Sequence, residues 1–257
     1  MSTPSTMPNA GASVESARPA MSHLARIFSV FFAPGKTFED VKIKSSWWAP
    51  WAFAAIFSMA FGALAVQKLD MTTLVQHQIE QSKMAQRQME SLSPEQRERG
   101  IAMRASITKV TFFVFPVFSL IGGIVIAAVL MALFNFGFAA EVSFDRAMAI
   151  VFYSFLPGVI TAILVIVTLL VSPDLSSFNL QNPVATNPAF FMDPQGNAFL
   201  FSIASRLDII SIWILILMGL GFSTVSKRKL APATAIMTMF VVYGIYALAA
   251  AGLASAF

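Results

Sequence analysis

The chain has 257 residues, of which 57% are hydrophobic and 12% charged, and its 17 Lys and Arg outnumber 13 Asp and Glu to give a formal net charge of +4. A soluble domain carries about a quarter charged residues, so this composition excludes an ordinary water-soluble globular protein. It points to an all-α membrane protein that crosses the bilayer several times.

The basic excess fits flanks that face anionic headgroups, and no nucleic-acid partner is expected. The absence of cysteine excludes disulfides and thiolate metal sites. His23 and His77, the only histidines, are far apart, which argues against a His-rich metal site. No cofactor is expected.

Residues 1–20 are rich in Ser, Thr, Pro and Ala and read as a disordered tail. They do not read as a cleavable signal, because no basic cluster leads into an apolar core and a small-residue site. Residues 21–257 then read as one membrane domain.

The stretch Phe31 to Phe38, FFAPGKTF, contains Gly35-Lys36-Thr37, the tripeptide that closes many phosphate-binding loops. The position of the first glycine of such a loop is Val30, and Pro34 removes a backbone N–H. Leu24, Ile27, Phe28 and Phe31 recur at helical spacing, whereas a phosphate loop follows a strand. No nucleotide is expected. The better reading is an amphipathic helix over Ser22 to Phe32 lying in the membrane interface, with Arg26 and Ser29 off its apolar stripe. Pro34-Gly35 ends it. Thr37 then caps a second short helix, with Asp40 in the capping-box place. Phe38 and Val41 are expected to face the membrane, and Lys36, Lys42 and Lys44 the headgroups.

A bilayer core of about 30 Å needs about 20 apolar residues as a helix. Five stretches qualify: about 48–66, 110–138 (interrupted by Pro116), 147–171 (with Pro157-Gly158 near its middle), 207–225 and 231–257. Trp47, Trp48 and Trp51 form an aromatic belt at the start of the first. Lys227-Arg228-Lys229 makes a short link between the last two, so they form an antiparallel hairpin. Gly244, Ala247, Ala251 and Ser255 give the last span a close-packing face, inside the bundle or between subunits.

Placing the N-terminus in the cytoplasm puts Arg18, Arg26, Lys36, Lys42, Lys44, Arg146 and Lys227 to Lys229 there, with the C-terminus outside. The loop at 67–109 runs against this arrangement with its seven basic residues. Its 70–109 part is expected to be helical, and Ser93-Pro94-Glu95-Gln96 gives a capped start to a helix feeding the second span. The loop after the third span, with its prolines and asparagines, should be irregular. Residues 197–205 then read as a short apolar helix at the interface or leading into the fourth span.

Ionisable groups at a membrane are costly and worth locating. Asp145-Arg146 opens the third span, with Ser143 as its cap. Arg206-x-Asp208 opens the fourth, with Asp208 as a cap or an ion-pair partner and Arg206 reaching to the interface. Tyr153, Ser154 or Asn135 can satisfy the carbonyl that Pro157 frees. The kink is either architectural or shapes a polar cavity with Asp145, Arg146 and Arg206. No hydrolase elbow, zincin or dinucleotide motif is present, so neither an enzyme nor a catalytic residue is expected.

Several of these segments together resemble the Yip1 domain family in its bacterial branch. FFAPGKTFEDVKIKSSWWAPW is similar to its N-terminal motif, through Pro34, Phe38, Glu39, Trp48 and Pro50. SFDRAMAIVFYSFLPGVI is similar to its third span, through Phe144, Ala147, Tyr153 and Pro157. RLDIISIWILILMGLGFSTVSKRK is similar to the segment with Leu-Asp, Ile-Trp and a closing Gly, through Asp208, Trp213 and Gly219. The resemblance implies five spans with a cytoplasmic N-terminus. Eukaryotic members act in vesicle transport and contact membrane-anchored GTPases, but their Asp-Leu-Tyr-Gly-Pro motif is absent here. The expected function is a non-enzymatic scaffold or adaptor in the bacterial inner membrane. Its expected partners are the lipid bilayer, other membrane proteins or further copies of the chain. The alternative is a transporter or permease component with a cavity near Tyr153, Pro157, Arg206 and Asp208.

Overall fold

A computed structural model describes residues 20–256, apart from 173, 174, 176, 177 and 181. Nearly all of the expected N-terminal tail lies outside the described residues. The described chain is helical, without strands.

Two short helices, α1 (His23–Phe32) and α2 (Pro34–Ile43), form a hairpin about Ala33. The first span is α3 (Trp48–Lys68). It is followed outside the bundle by α4 (Met71–Glu80) and α5 (Lys83–Glu90). A single helix, α6 (Pro94–Phe138), then returns across the molecule. The third crossing is α7 (Phe144–Ser154) with α8 (Gly158–Val171). A loop containing a short 3-10 turn, Pro188–Phe191, leads to α9 (Ala198–Arg206) and α10 (Ile209–Val225). The last helix is α11 (Pro232–Ala256).

Four units are long and apolar enough to cross a bilayer: α3, α6, α7 with α8, and α11. Helices α9 and α10, bent by 53° where they meet, make a fifth when taken as one broken span. The outer surface agrees with a lipid environment. Phe136 is 92% exposed and Ile56 66%, and exposed Phe, Ile, Leu and Val recur along α6, α8 and α11. So much apolar surface is not left to water in a monomeric soluble protein.

Helix α6 runs 45 residues, about 68 Å. The expected interruption at Pro116 does not occur; the proline lies inside a continuous helix. Pro116 has no N–H for the carbonyl of Phe112, but α3 packs closely there through Gly62. A Cβ on Gly62 would stand 2.9 Å from the Phe112 Cβ and 3.3 Å from its carbonyl oxygen. The Trp51 indole donates to the Pro116 carbonyl at 3.1 Å. Close packing by α3 thus supports the helix where the proline weakens it.

The capped start of α6 forms as expected. The Ser93 side chain accepts from the Gln96 amide and the Gln96 side chain accepts from the Ser93 amide. Helices α4 and α5 and the first turns of α6 share a small apolar core through Leu74, Val75, Ile79, Met89 and Ala105.

The main core lies at the N-terminal side of the bundle. There α10 packs between α2, α7 and α11. Glycines permit the close approach. A Cβ on Gly219 would lie 2.6 Å from the Ile236 Cα of α11, and one on Gly221 2.6 Å from Ile150 of α7. Of the small-residue face of α11, Ala247 and Ala251 are buried, Gly244 is half-buried and Ser255 exposed, and α9 packs against this helix. Phe134 of α6 and Phe222 of α10 stack at 4.4 Å.

Candidate functional site

The N-terminal hairpin differs from its expected form. Arg26, off the apolar stripe of its helix, is fully buried. Its guanidinium pairs with Asp40 of α2 at 2.5 Å and donates to the Lys44 carbonyl at 2.9 Å. The other Asp40 oxygen accepts from the Met21 amide at 2.9 Å. Asp40 is therefore not a capping-box acid, and Thr37 is not a cap. Helix α2 starts four residues before Phe38, at Pro34, which needs no N–H partner in a first turn. Thr37 is buried within the helix.

Phe38 and Val41 face the core instead of the membrane, both fully buried. What faces outward is Leu24, Phe28 and Phe32. The physical reason is one of cost. An isolated buried charge is prohibitive, but two opposite charges from adjoining helices can neutralise each other. Sequence periodicity places Arg26 on a polar edge because it cannot see the partner. Lys36, Glu39, Lys42 and Lys44 remain exposed.

The pair abuts the third crossing. The Arg26 guanidinium carbon lies 5.8 Å from the centre of the Tyr153 ring, within reach of a cation–π attraction. Tyr153 is fully buried, and neither its hydroxyl nor those of Ser154 and Thr37 has a hydrogen-bond partner among the described residues. Arg146 adds a second tie, donating to the Lys42 carbonyl at 3.0 Å. Asp145 sits in the first turn of α7, and Ser143 occupies the N-cap position without a side-chain bond.

Pro157 does interrupt its span. The turn between α7 and α8 satisfies itself with tight bonds: the Leu156 amide to the Tyr153 carbonyl at 3.3 Å and the Gly158 amide to the Phe155 carbonyl at 3.0 Å. The donors expected to relieve the break are not used for it. Asn135 instead holds Val142, donating to its carbonyl at 2.9 Å and accepting from its amide at 2.8 Å. This fixes the α6–α7 connection, where Ala139 and Glu141 take left-handed backbone at φ 51°.

The second interruption lies between α9 and α10. Asp208 caps α10, accepting from the Ser211 amide at 2.9 Å. Arg206 donates to the Ser202 carbonyl at 2.7 Å and lies 5.5 Å from the Tyr246 ring centre. No described acid pairs with it. The Tyr243 hydroxyl donates to the Arg206 carbonyl at 3.0 Å. Tyr243 is near the middle of α11, so the interruption lies alongside the interior of that span. Sequence reading missed Tyr243; a tyrosine in a charge-free apolar helix was the available signal.

Trp213 meets Phe31 of α1 edge-on at 5.8 Å, and Trp48 stacks obliquely on His23 at 4.9 Å. Pro50 is buried in the first turn of α3. The residues grouped as one polar cavity are not brought together. Asp145 and Arg146 lie at the end where α10 finishes: Lys227, just past it, bonds the loop before α7. Arg206 lies where α10 begins. The two ends are separated by 17 residues, about 25 Å of helix.

The model of the Yip1 domain family matches residues 28–251. No curated protein and no solved structure matches the chain. The match runs from the second half of α1 into α11 and takes in α2, every helix between and both interruptions. An integral membrane bundle with this order of elements and a family match over most of its length leads to one assignment: the chain belongs to the Yip1 domain family.

Proposed function

We propose that the protein is a non-enzymatic scaffold or adaptor that engages other membrane proteins or lipids. In this reading it sits in the bacterial inner membrane, with its N-terminus cytoplasmic and its C-terminus outside. The observation that carries the reading is the use made of charge inside and at the ends of the bundle. Arg26 and Asp40 neutralise each other and tie α1 to α2, and Asp208 is spent as a helix cap. These groups hold helices in place instead of converging on a substrate.

Photo-crosslinking in native membranes tests it. A crosslinker at Phe28, on the exposed face of the hairpin, should recover a specific protein or lipid partner, and one at buried Val30 should not. Equal yields at both positions would remove the support.

A second reading, a transporter component, is favoured by one observation. Two spans are interrupted, at Pro157 and between Arg206 and Asp208, and broken spans commonly mark substrate sites in carriers. It predicts a flux in proteoliposomes that falls with Asp208→Asn or Tyr153→Phe.

A further inference from the structure

We propose that a cavity at the end of α3 is a binding site for the headgroup of a zwitterionic aminophospholipid. This deepens the lipid part of the proposed function and rests on that reading. The cavity has a volume of about 290 Å³ and lies between the last turn of α3, the start of α4, and Leu175 and Phe178 beyond α8. Small-molecule sites span about 300–1,000 Å³, so the space suits a headgroup and not a whole lipid.

Its chemistry is divided. Leu69, Leu74 and Phe178 supply buried apolar walls. Lys68, Asp70 and His77 supply polar groups. Lys68 is the last residue of the first span, so the cavity opens where the chain leaves the bilayer. A lipid phosphate reaches that level, and the glycerol and first methylenes reach the apolar walls.

The charges match a headgroup with both signs. No described acid pairs with Lys68, which is exposed and free to meet a phosphate. His77 also lines the cavity and offers a ring N–H. Asp70 is the N-cap of α4; one carboxylate oxygen accepts from the Thr72 amide at 3.0 Å and the other from the Thr73 hydroxyl at 2.7 Å. Each carboxylate oxygen has a second lone pair, and Asp70 has no cation partner among the described residues. A primary ammonium can take that place. A purely anionic headgroup would meet the Asp70 charge unfavourably, and a quaternary ammonium has no N–H to donate.

The test is native mass spectrometry of the delipidated full-length protein. It is titrated with phosphatidylethanolamine, phosphatidylcholine and phosphatidylglycerol of identical acyl chains. The expected result is a preference for phosphatidylethanolamine of about two- to five-fold over each of the others, the size of one partly exposed charge pair. Asp70→Asn retains a good N-cap and should abolish the preference over phosphatidylglycerol. Lys68→Gln should weaken all three lipids, since each carries the phosphate. Soluble phosphoethanolamine, which lacks acyl chains, should not displace the lipid at equal concentration.

Equal binding of the three lipids, or a preference unchanged in Asp70→Asn, would overturn the proposal. Displacement by soluble phosphoethanolamine would overturn the lipid as the source of the group. Photo-crosslinking to a protein partner at Phe28 reads a different face of the molecule, so either result can fail without the other.

Discussion

Arg26 on α1 and Asp40 on α2 form a buried ion pair at 2.5 Å, and the guanidinium also faces the ring of Tyr153 on α7. One contact thus closes the N-terminal hairpin and seats it on the bundle. Removing one partner of such a pair leaves a buried charge uncompensated and costs about 3–5 kcal/mol. Arg26→Ala and Asp40→Ala should each lower thermal stability in detergent by that order. The double variant Arg26→Met, Asp40→Leu should recover most of the loss, because well-packed apolar groups replace buried pairs at little net cost. Additive losses in the double variant would show that packing, not charge neutralisation, dominates.

Gly219 and Gly35 should respond in opposite ways to the same change. A Cβ at Gly219 meets the α11 backbone at 2.6 Å, whereas one at Gly35 meets nothing within 4 Å. Gly219→Ala should separate α10 from α11 and cost about 1–3 kcal/mol, as overpacking does. Gly35→Ala lies in α2 and should be neutral or stabilising by up to about 1 kcal/mol from helix propensity. Unfolding midpoints of the two purified variants decide this.

The membrane character and the capped start of α6 were legible in the sequence, because both depend on local pattern. Twenty apolar residues in a row and a Ser-Pro-Glu-Gln cap need no tertiary partner to be recognised. The inward face of the hairpin was not legible. Arg26 breaks an apolar stripe and so reads as surface until Asp40 is folded against it. The same holds for Pro116, read as a break although Gly62 and Trp51 brace the helix from α3. At the candidate site, Asp208 was legible as a cap. The separation of Arg146 and Arg206 also followed from the expected spans, because the third span lies between them; grouping both in one polar cavity overlooked it.

Asp70 gives α4 a pH dependence. Hydrogen bonds from the Thr73 hydroxyl and the Thr72 amide hold its carboxyl below the ordinary value of 3.8. A lowered carboxyl pKa means that the charged form is favoured in the folded state. Its stabilisation is therefore present above that value and is lost as pH falls through the lower folded pKa. Hydrogen exchange of the amides at the start of α4 should accelerate, relative to the intrinsic rate, over that acidic range. Asp70→Asn should flatten the dependence while keeping the cap; an unchanged profile would place the acid sensitivity elsewhere.

Tyr243 should matter for the bend between α9 and α10. Its hydroxyl bonds the Arg206 carbonyl at 3.0 Å, a bond worth about 0.5–1.5 kcal/mol net. Tyr243→Phe should lower stability by that amount and increase protease access near Leu207, which is exposed. Tyr246→Phe keeps the ring over Arg206 and should leave both unchanged.

The five-crossing arrangement is tested most directly by cysteine labelling, since the chain has no cysteine of its own. Single cysteines at Ser45, Lys229 and Gln195 sit in connections, and one at Glu98 in the exposed start of α6. In sealed vesicles, an impermeant maleimide should label Ser45→Cys and Lys229→Cys from one side and Glu98→Cys and Gln195→Cys only from the other. Labelling of Ser45→Cys and Glu98→Cys from the same side would contradict a crossing by α3 and with it the five-span bundle.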